Sequence, residues 1–487
     1  MKNVILFLFA AISCQLFVRV DTMAQHVSRQ EAITVAGNYI KNRQLKLEII
    51  QTETLMSGID SIAWLMHCEP RGFMVIASGK MQPPVLAWSD ECNFGEGQAG
   101  DIFLPIFLFD LKTRNAFSVP ETSEARANLQ KWTYWLNPDQ HCRVFEQWPT
   151  AGWSPTGGWL FTNWTQTSPY NALCPIDGQT HVRSVAGCPA TAMAQIINFQ
   201  HNIHQTRFTD ADDYYHNYGS GNMYWIDDDW DSHGFPSWDQ LNLYLDTLEG
   251  RYQSSLPLSN TDKAALTFAC GAAAKQVYSS SVSGTYGINQ AYDAFIRFGY
   301  SDARLVDPSN PGLNNQLAQN MMLALPAQLG LVNEAWTVGH NVVVDGYNTD
   351  ELFHFNFGWG GSANGWYTMP PVDIPYDLTV IEGVVMDINL SNPPVGANHA
   401  NPAENITAMA YISETGMLRI SLPETITNAR VCIYDASGRM RICEPVACSG
   451  GLGITDLQLP GLVPGLYVAC LEAGNNVAYR SKFIVKS

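Results

Sequence analysis

The stretch Gly187-Cys188-Pro189-Ala190-Thr191-Ala192-Met193-Ala194-Gln195-Ile196-Ile197 decides how this chain is read. Met193, Ile196 and Ile197 carry the i, i+3, i+4 spacing of a buried helical face. Pro189 suits the first helical position, where a missing N–H costs nothing, so Cys188 is predicted as the last residue before the helix. A thiol there meets unpaired backbone N–H groups and the positive end of the helix dipole, and both favour the thiolate. The thiolate is the nucleophile of cysteine chemistry. The bland alternative is a packed, inert thiol, the commoner fate of a free cysteine. Choosing between them requires a partner elsewhere in the chain.

Such a partner lies in Gly339-His340-Asn341-Val342-Val343-Val344-Asp345-Gly346-Tyr347. Asp345-Gly346 is a hairpin turn signal, and the following Phe353-His354-Phe355-Asn356-Phe357 strand is expected to bring Asn356 back beside His340. His340 follows Cys188 by roughly 150 residues, and the order Cys, His, Asn is that of papain-like enzymes. An imidazole takes the thiol proton and later returns it to the leaving amine. An amide oxygen on the far ring nitrogen fixes tautomer and orientation. Trp359, in Gly358-Trp359-Gly360-Gly361, would shield that bond from water. Singly, each residue reads more simply as a strand-end histidine, a turn asparagine or a packed tryptophan. Jointly with Cys188 they read as a catalytic set.

The chain has 487 residues, 46% of them hydrophobic and 15% charged, which is ample for several packed cores. A formal net charge of -18 argues against nucleic acid as a partner. Met1 to Ala24 reads as a secretory signal, with Lys2 before the apolar Val4 to Val20 run. Cys14, Gln15 and Arg19 interrupt that run, so no membrane span is expected. The 11 cysteines form no CxxC pair or Cys/His repeat, so no metal or other cofactor is expected. Cys432, Cys443, Cys448 and Cys470 are expected to form one or two bridges of open pairing. Asp227-Asp228-Asp229 with Asp231 reads as a solvated acidic loop in preference to a calcium site.

Residues 25–150 combine helices (28–40 and 121–135) with strands (72–78 and 84–90). Residues 151–390 are helix-rich first and strand-rich later, an α+β order. Helices are expected over 262–278, 288–298 and 314–325, then strands over 341–345, 352–357, 365–369 and 380–389. A Pro/Gly-bearing linker over 391–404 precedes a small all-β sandwich over 405–487.

These motifs resemble the streptopain family of secreted bacterial cysteine peptidases. The resemblance rests on Trp164-Thr165-Gln166 with Pro169-Tyr170-Asn171 and Cys174-Pro175, on Gly187 to Ile197, and on Gly339 to Gly361. It implies a papain-like domain over 151–390, with Cys188 on the helical half as nucleophile and His340 on the β-rich half as base. It also implies Gln166 as oxyanion donor, with Asn356 and Trp359 supporting His340. Residues 25–150 resemble that family's inhibitory pro-segment, which implies a zymogen whose own first unit is an intramolecular partner. The C-terminal unit resembles a type IX secretion sorting domain, through Asn401-Pro402, Tyr434 to Arg439, Pro464 to Tyr467 and Lys482 to Lys486. That implies export through periplasm and outer membrane to the surface or medium, with the type IX machinery as a partner.

The expected function is therefore a secreted endopeptidase acting on protein and peptide substrates through a Cys188 thioester. A silent surface adhesin or haemagglutinin on the same scaffold is the alternative from another class, and acyl transfer a third reading. Val338, Asn341, Phe357 and Pro189 depart from the family pattern where cleft shape is set.

Overall fold

A computed structural model describes residues 26–97, 99–117, 122–138, 145–219, 221–371, 378–389, 408–412, 417–422, 429–435, 439–446, 453–463, 465–473 and 476–485. The signal and linker expectations fall outside these residues. Met1–Ser391 and Asn392–Ser487 are separate compact units.

The first unit is organised by one sheet of eleven strands. Its N-terminal part begins with helix α1 (Arg29–Arg43), started by a Ser28/Glu31 capping box. Strands β1 (Glu48–Ser57), β2 (Asp60–Glu69), β3 (Phe73–Ala77) and β4 (Val85–Ser89) follow as an antiparallel meander. A π-helical turn (Ala99–Phe103) leads into helix α2 (Leu104–Phe117), then helix α3 (Ser123–Leu136) and the short strand β5 (Gln147–Trp148).

The helical half contains α4 (Cys188–Gln200), the β6 (Tyr214–Asn217) and β7 (Met223–Ile226) hairpin, α5 (Trp238–Gln253), α6 (Asn260–Ala273) and α7 (Ile288–Arg297). Helix α4 is buried from Pro189 to Ile197 and packs against α6. Burying Met193, Ile196 and Ile197 contributes about 1.5–3 kcal/mol each. The β-rich half contains β8 (Arg304–Val306), α8 (Leu313–Met322), β9 (Ala327–Val332), β10 (Gly339–Asn348), β11 (Leu352–Asn356), β12 (Gly365–Thr368) and β13 (Ile381–Met386).

The sheet runs β1-β2-β3-β4-β12-β11-β10-β9-β13-β8, with β5 on β10. The N-terminal meander therefore extends the sheet of the β-rich half, through Trp88 opposite Trp366 and Ala87 opposite Tyr367. At the end of β12 the buried Arg114 guanidinium donates to Thr368 Oγ1 (2.8 Å) and to its carbonyl (3.0 Å) while pairing with Asp110 at 2.6 Å. Arg43 forms a two-point pair with Asp350, both contacts 2.7 Å, between side chains that are 4% and 7% exposed.

Two local expectations are corrected. Cys188 is the first residue of its helix, and Gly187 is the cap. Gly187 has φ +85°, and a Cβ there would stand 2.5 Å from Gln276 Oε1, so only glycine fits. Asp345-Gly346 is not a turn. Strand β10 continues to Asn348, with a register shift between Val344 and Gly346. The glycine serves a close approach, because its Cβ would stand 2.8 Å from the Cβ of His354. The reversal comes later, where Asn348 Oδ1 accepts from the N–H groups of Asp350 and Leu352 and Glu351 takes φ +66°. Helices α2 and α5 and strands β1 and β2 were not among the expected elements.

The second unit has a three-stranded sheet, β14 (Ala408–Ile412), β15 (Met417–Leu422) and β18 (Gly453–Gln458), in the order β14-β15-β18. A four-stranded sheet has the order β17-β16-β19-β20, from β16 (Ala429–Asp435), β17 (Met440–Val446), β19 (Gly465–Ala473) and β20 (Asn476–Val485). Leu418 and Leu457 from the first sheet meet Val431, Ile433, Tyr467, Ala469 and Leu471 from the second, the inner faces of a sandwich. Cys432 and Cys443, opposite each other on β16 and β17, form a disulfide. Cys448 lies outside the described residues.

Candidate active site

Helix α4, which starts at Cys188, packs against β10, which carries His340. The backbone N–H of Asn341, the residue after His340, is directed at the Cys188 sulfur, as is the N–H of Cys188 itself. Burial outweighs both and pushes the thiol up to about 11. The expectation that the helix terminus favours the thiolate is therefore reversed in this state, because desolvation exceeds what two N–H groups return.

His340 is 2% exposed, and burial pushes its imidazole down to about 4, partly opposed by the bond to Phe357. Its Nε2 lies 2.9 Å from the Phe357 carbonyl oxygen. A carbonyl only accepts, so Nε2 carries the proton and Nδ1 holds the lone pair. That is the tautomer a base needs on the other nitrogen. Trp359 stacks on the ring at 4.2 Å between centroids, and Phe357 stacks parallel to it at 6.0 Å.

Asn356 is buried beside this pair but does not touch the imidazole. Its Oδ1 accepts from Gln195 Nε2 (3.2 Å) and the Gly358 N–H (3.1 Å). Its Nδ2 donates to the Thr162 carbonyl (2.8 Å) and Asn163 Oδ1 (3.3 Å). All four hydrogen-bonding positions of the amide are filled. The expected Asn356–His340 bond is thus replaced by the bond to Phe357.

Gln166 sits on a loop laced to both halves. Its carbonyl accepts from the Ala186 N–H (2.8 Å), two residues before Cys188, and the Trp164 carbonyl accepts from Gly360 (3.1 Å). Its side chain is half-buried, and among the described residues it makes no hydrogen bond.

Three buried glutamines escaped the sequence reading. Gln195 Oε1 accepts from Thr162 Oγ1 (3.0 Å) and the Trp164 N–H (3.1 Å), tying α4 to the Gln166 loop. Gln276 Nε2 donates to the Ala186 carbonyl (2.8 Å) and steadies the chain entering Cys188. Gln328 Nε2 donates to Asn341 Oδ1 (2.8 Å). The available signal was Gln195 itself, a long polar side chain within the run Ala192 to Ile197 that is otherwise apolar.

The N-terminal segment reaches this site from behind. Phe103 packs against Phe357 at 4.5 Å, one ring away from His340. The same segment brings Glu91 to a second buried histidine. His354 Nδ1 lies 2.6 Å from Asp345 Oδ1, with side chains 2% and 0% exposed. A Cβ on Gly157 would stand 3.2 Å from His354 Nε2 and 3.4 Å from Glu91 Oε1, so both face one Cα.

Among the described residues no group of three or more His, Cys, Asp or Glu is placed to hold a metal ion, and no helix is long and apolar enough to cross a membrane. In the acidic loop, Asp227 Oδ1 accepts from the Trp238 N–H and Asp229 Oδ2 from the Trp225 N–H, at 2.7 and 2.6 Å.

Residues 164–367 match the Peptidase C10 family, and residues 24–114 match the Spi protease inhibitor family. Streptopain of Streptococcus pyogenes serotype M1 is 26% identical over 378 residues, covering 72% of this chain and 83% of that protein. The thiol protease/hemagglutinin PrtT of Porphyromonas gingivalis is 59% identical over 29 residues, 6% of this chain and 3% of that protein. The structure of a prointerpain A fragment from Prevotella intermedia superposes with a TM-score of 0.47 at 20% identity, covering 70% of this chain and 99% of that one. The chain carries a cysteine peptidase domain of the C10, or streptopain, family behind a Spi-inhibitor-like pro-segment.

Proposed function

We propose that this zymogen matures to a secreted endopeptidase in which Cys188 is the nucleophile and His340 its general base and acid. His340 Nδ1 takes the Cys188 proton, and the thiolate attacks the scissile carbonyl carbon. The oxyanion is met by the Cys188 backbone N–H and the Gln166 side-chain amide. The imidazolium returns the proton to the leaving amine, which departs as the thioester forms. Water then attacks the thioester, giving its proton to Nδ1 and releasing the acid as the thiol re-forms. Trp359 covers the ring, and Asn356 supports it.

The observation that carries this reading is the His340 tautomer. The Phe357 carbonyl requires hydrogen on Nε2, which leaves Nδ1 as the base on the strand whose next N–H faces the sulfur. Burial is the proposed source of latency: it pushes the Cys188 thiol up and the His340 imidazole down, so both favour their neutral forms and the thiolate–imidazolium pair is disfavoured. Proton transfer therefore awaits a wetter or more polar site, and withdrawal of the Phe103 side of the pro-segment is the proposed trigger.

We assign residues 1–24 to the signal, 25–150 to the pro-segment, 151–390 to the peptidase, 391–404 to a linker and 405–487 to a sorting domain that directs type IX export. The sandwich and the motifs at Tyr434 and Lys482 support that last assignment.

The test is casein cleavage by the processed protein under reducing conditions, beside Cys188→Ala. Loss of cleavage in the variant is expected. Equal cleavage would sink the assignment, and cell or sugar binding without turnover would favour the adhesin.

A further inference from the structure

His340 is held by a peptide group, and that peptide group is itself held. The Phe357 carbonyl and the Gly358 N–H belong to one planar amide. The carbonyl end accepts from His340 Nε2 at 2.9 Å, and the N–H end donates to Asn356 Oδ1 at 3.1 Å. The same Oδ1 accepts from Gln195 Nε2 at 3.2 Å. Gln195 is 0% exposed, and its own orientation is set because Oε1 must face two donors, Thr162 Oγ1 and the Trp164 N–H. The bonds form a directional line from α4 to the imidazole.

We propose that Gln195 is a positioning residue of the reaction, holding Asn356 so that the Phe357–Gly358 peptide presents its carbonyl to His340 and keeps the Nε2–H tautomer; this rests on the assignment of Cys188 and His340 as the reacting pair. Without the donor from Gln195, Asn356 Oδ1 keeps only the Gly358 N–H, and the orientation that turns Nδ2 toward Gly358, at the expense of the Nδ2 bonds to Thr162 and Asn163, is less strongly opposed. Two N–H groups then oppose each other, and the peptide rotates away. His340 loses its acceptor, and the Nδ1–H tautomer, whose lone pair faces away from Cys188, gains population.

Gln195→Glu is the sharp variant. It keeps the volume and both acceptor contacts and, when ionised, replaces the donor to Asn356 with an oxygen and a buried charge, so Gln195→Met serves as its charge-free control. Gln195→Met keeps the volume and removes both sets of bonds. The tautomer is read by 15N NMR of ring-labelled histidine in the full chain carrying Cys188→Ala, and kcat and KM are measured on the processed enzyme. The expected result for Gln195→Glu is a fall of about tenfold in kcat, the size of one hydrogen bond, with KM within about threefold. A mixture of His340 tautomers should accompany it, and Gln195→Met should show the same signature. A pure Nε2–H signal in both variants overturns the proposal, whatever the rate. An unchanged kcat in both overturns it as well. Activity retained by Cys188→Ala would instead sink the assignment of the reacting pair, and the NMR result would still decide the relay.

Discussion

Hairpin β10–β11 carries two buried histidines whose basicity is pushed in opposite directions. His340, at the start of β10, meets a peptide carbonyl, and burial drives it down to about 4. His354, opposite Gly346 toward the closed end of the hairpin, meets a carboxylate. Burial pulls His354 down too, but Asp345, Glu91 and Asp90 together raise it above its ordinary value. Burial alone does not set the charge of a histidine; the nearest acceptor does. A neutral acceptor leaves a base with a usable lone pair, whereas a carboxylate favours the protonated ring. One hairpin thus holds the histidine proposed for the chemistry and a fastening one, and the pro-segment touches the surroundings of both.

The strongest way to break the comparison is Asp345→Asn. It removes the carboxylate from His354 and an acceptor from the Leu160 N–H. A loss of about 3–4 kcal/mol is expected in urea unfolding of the Cys188→Ala chain. His354 should then titrate below its ordinary value, as His340 does. The sign follows from the raised folded value: this pair's contribution is full below about 6.5, the unfolded value, and fades as pH rises through the folded one. The variant should lose that dependence and, with His354 depressed, gain stability as pH rises toward about 6.5 instead.

Arg43→Met comes next. It leaves Asp350 buried at the closed end of the hairpin without its two-point partner. A loss of about 3 kcal/mol is expected, together with faster self-processing of the wild-type zymogen background, followed by gel.

Glu91 offers a smaller, pH-dependent test. Burial raises its carboxyl to about 7, with His354 opposing and Asp90 and Asp345 adding. A value raised on docking means that pro-segment attachment is strongest below about 4.5 and weakens as pH rises through about 7. After discounting for partial exposure, the change between pH 5.5 and 8 is on the order of 1 kcal/mol. Hydrogen exchange of β4 amides, corrected for intrinsic rates, should speed up across that range in the Cys188→Ala chain and stay flat with Glu91→Gln added. The smallest effect is expected for Trp359→Phe, which keeps the stacked ring and removes an indole N–H that is buried without a partner among the described residues. Its stability should stay within about 1 kcal/mol.

The Cys188 helix, the His340 strand and the return of Asn356 to the same neighbourhood were legible because each rests on local periodicity and chain order. The detail of the hairpin was not. Asp-Gly is a turn signal wherever backbone φ decides, but here Gly346 is needed for the approach of His354, a partner eight residues away. His354 and His340 look alike as strand histidines, since neither Asp345 pairing nor carbonyl pairing leaves a local mark. The β4–β12 junction joins residues nearly 280 positions apart and has no pattern beyond two apolar strands. Gln195 was visible as a polar residue on the buried stretch of its helix, but its partners come from two other segments. The pKa of Cys188 also depends on tertiary burial, which a helix-terminus argument does not contain.

Cys188 and His340 are the proposed reacting pair, held neutral while the pro-segment is attached. The most direct measurement is the pH dependence of Cys188 alkylation by iodoacetamide, read by mass on unprocessed and processed chains in one sample. The unprocessed chain should react only as pH approaches about 11, and the processed chain should react readily near neutrality. Identical pH profiles for Cys188 in the two forms would contradict this assignment.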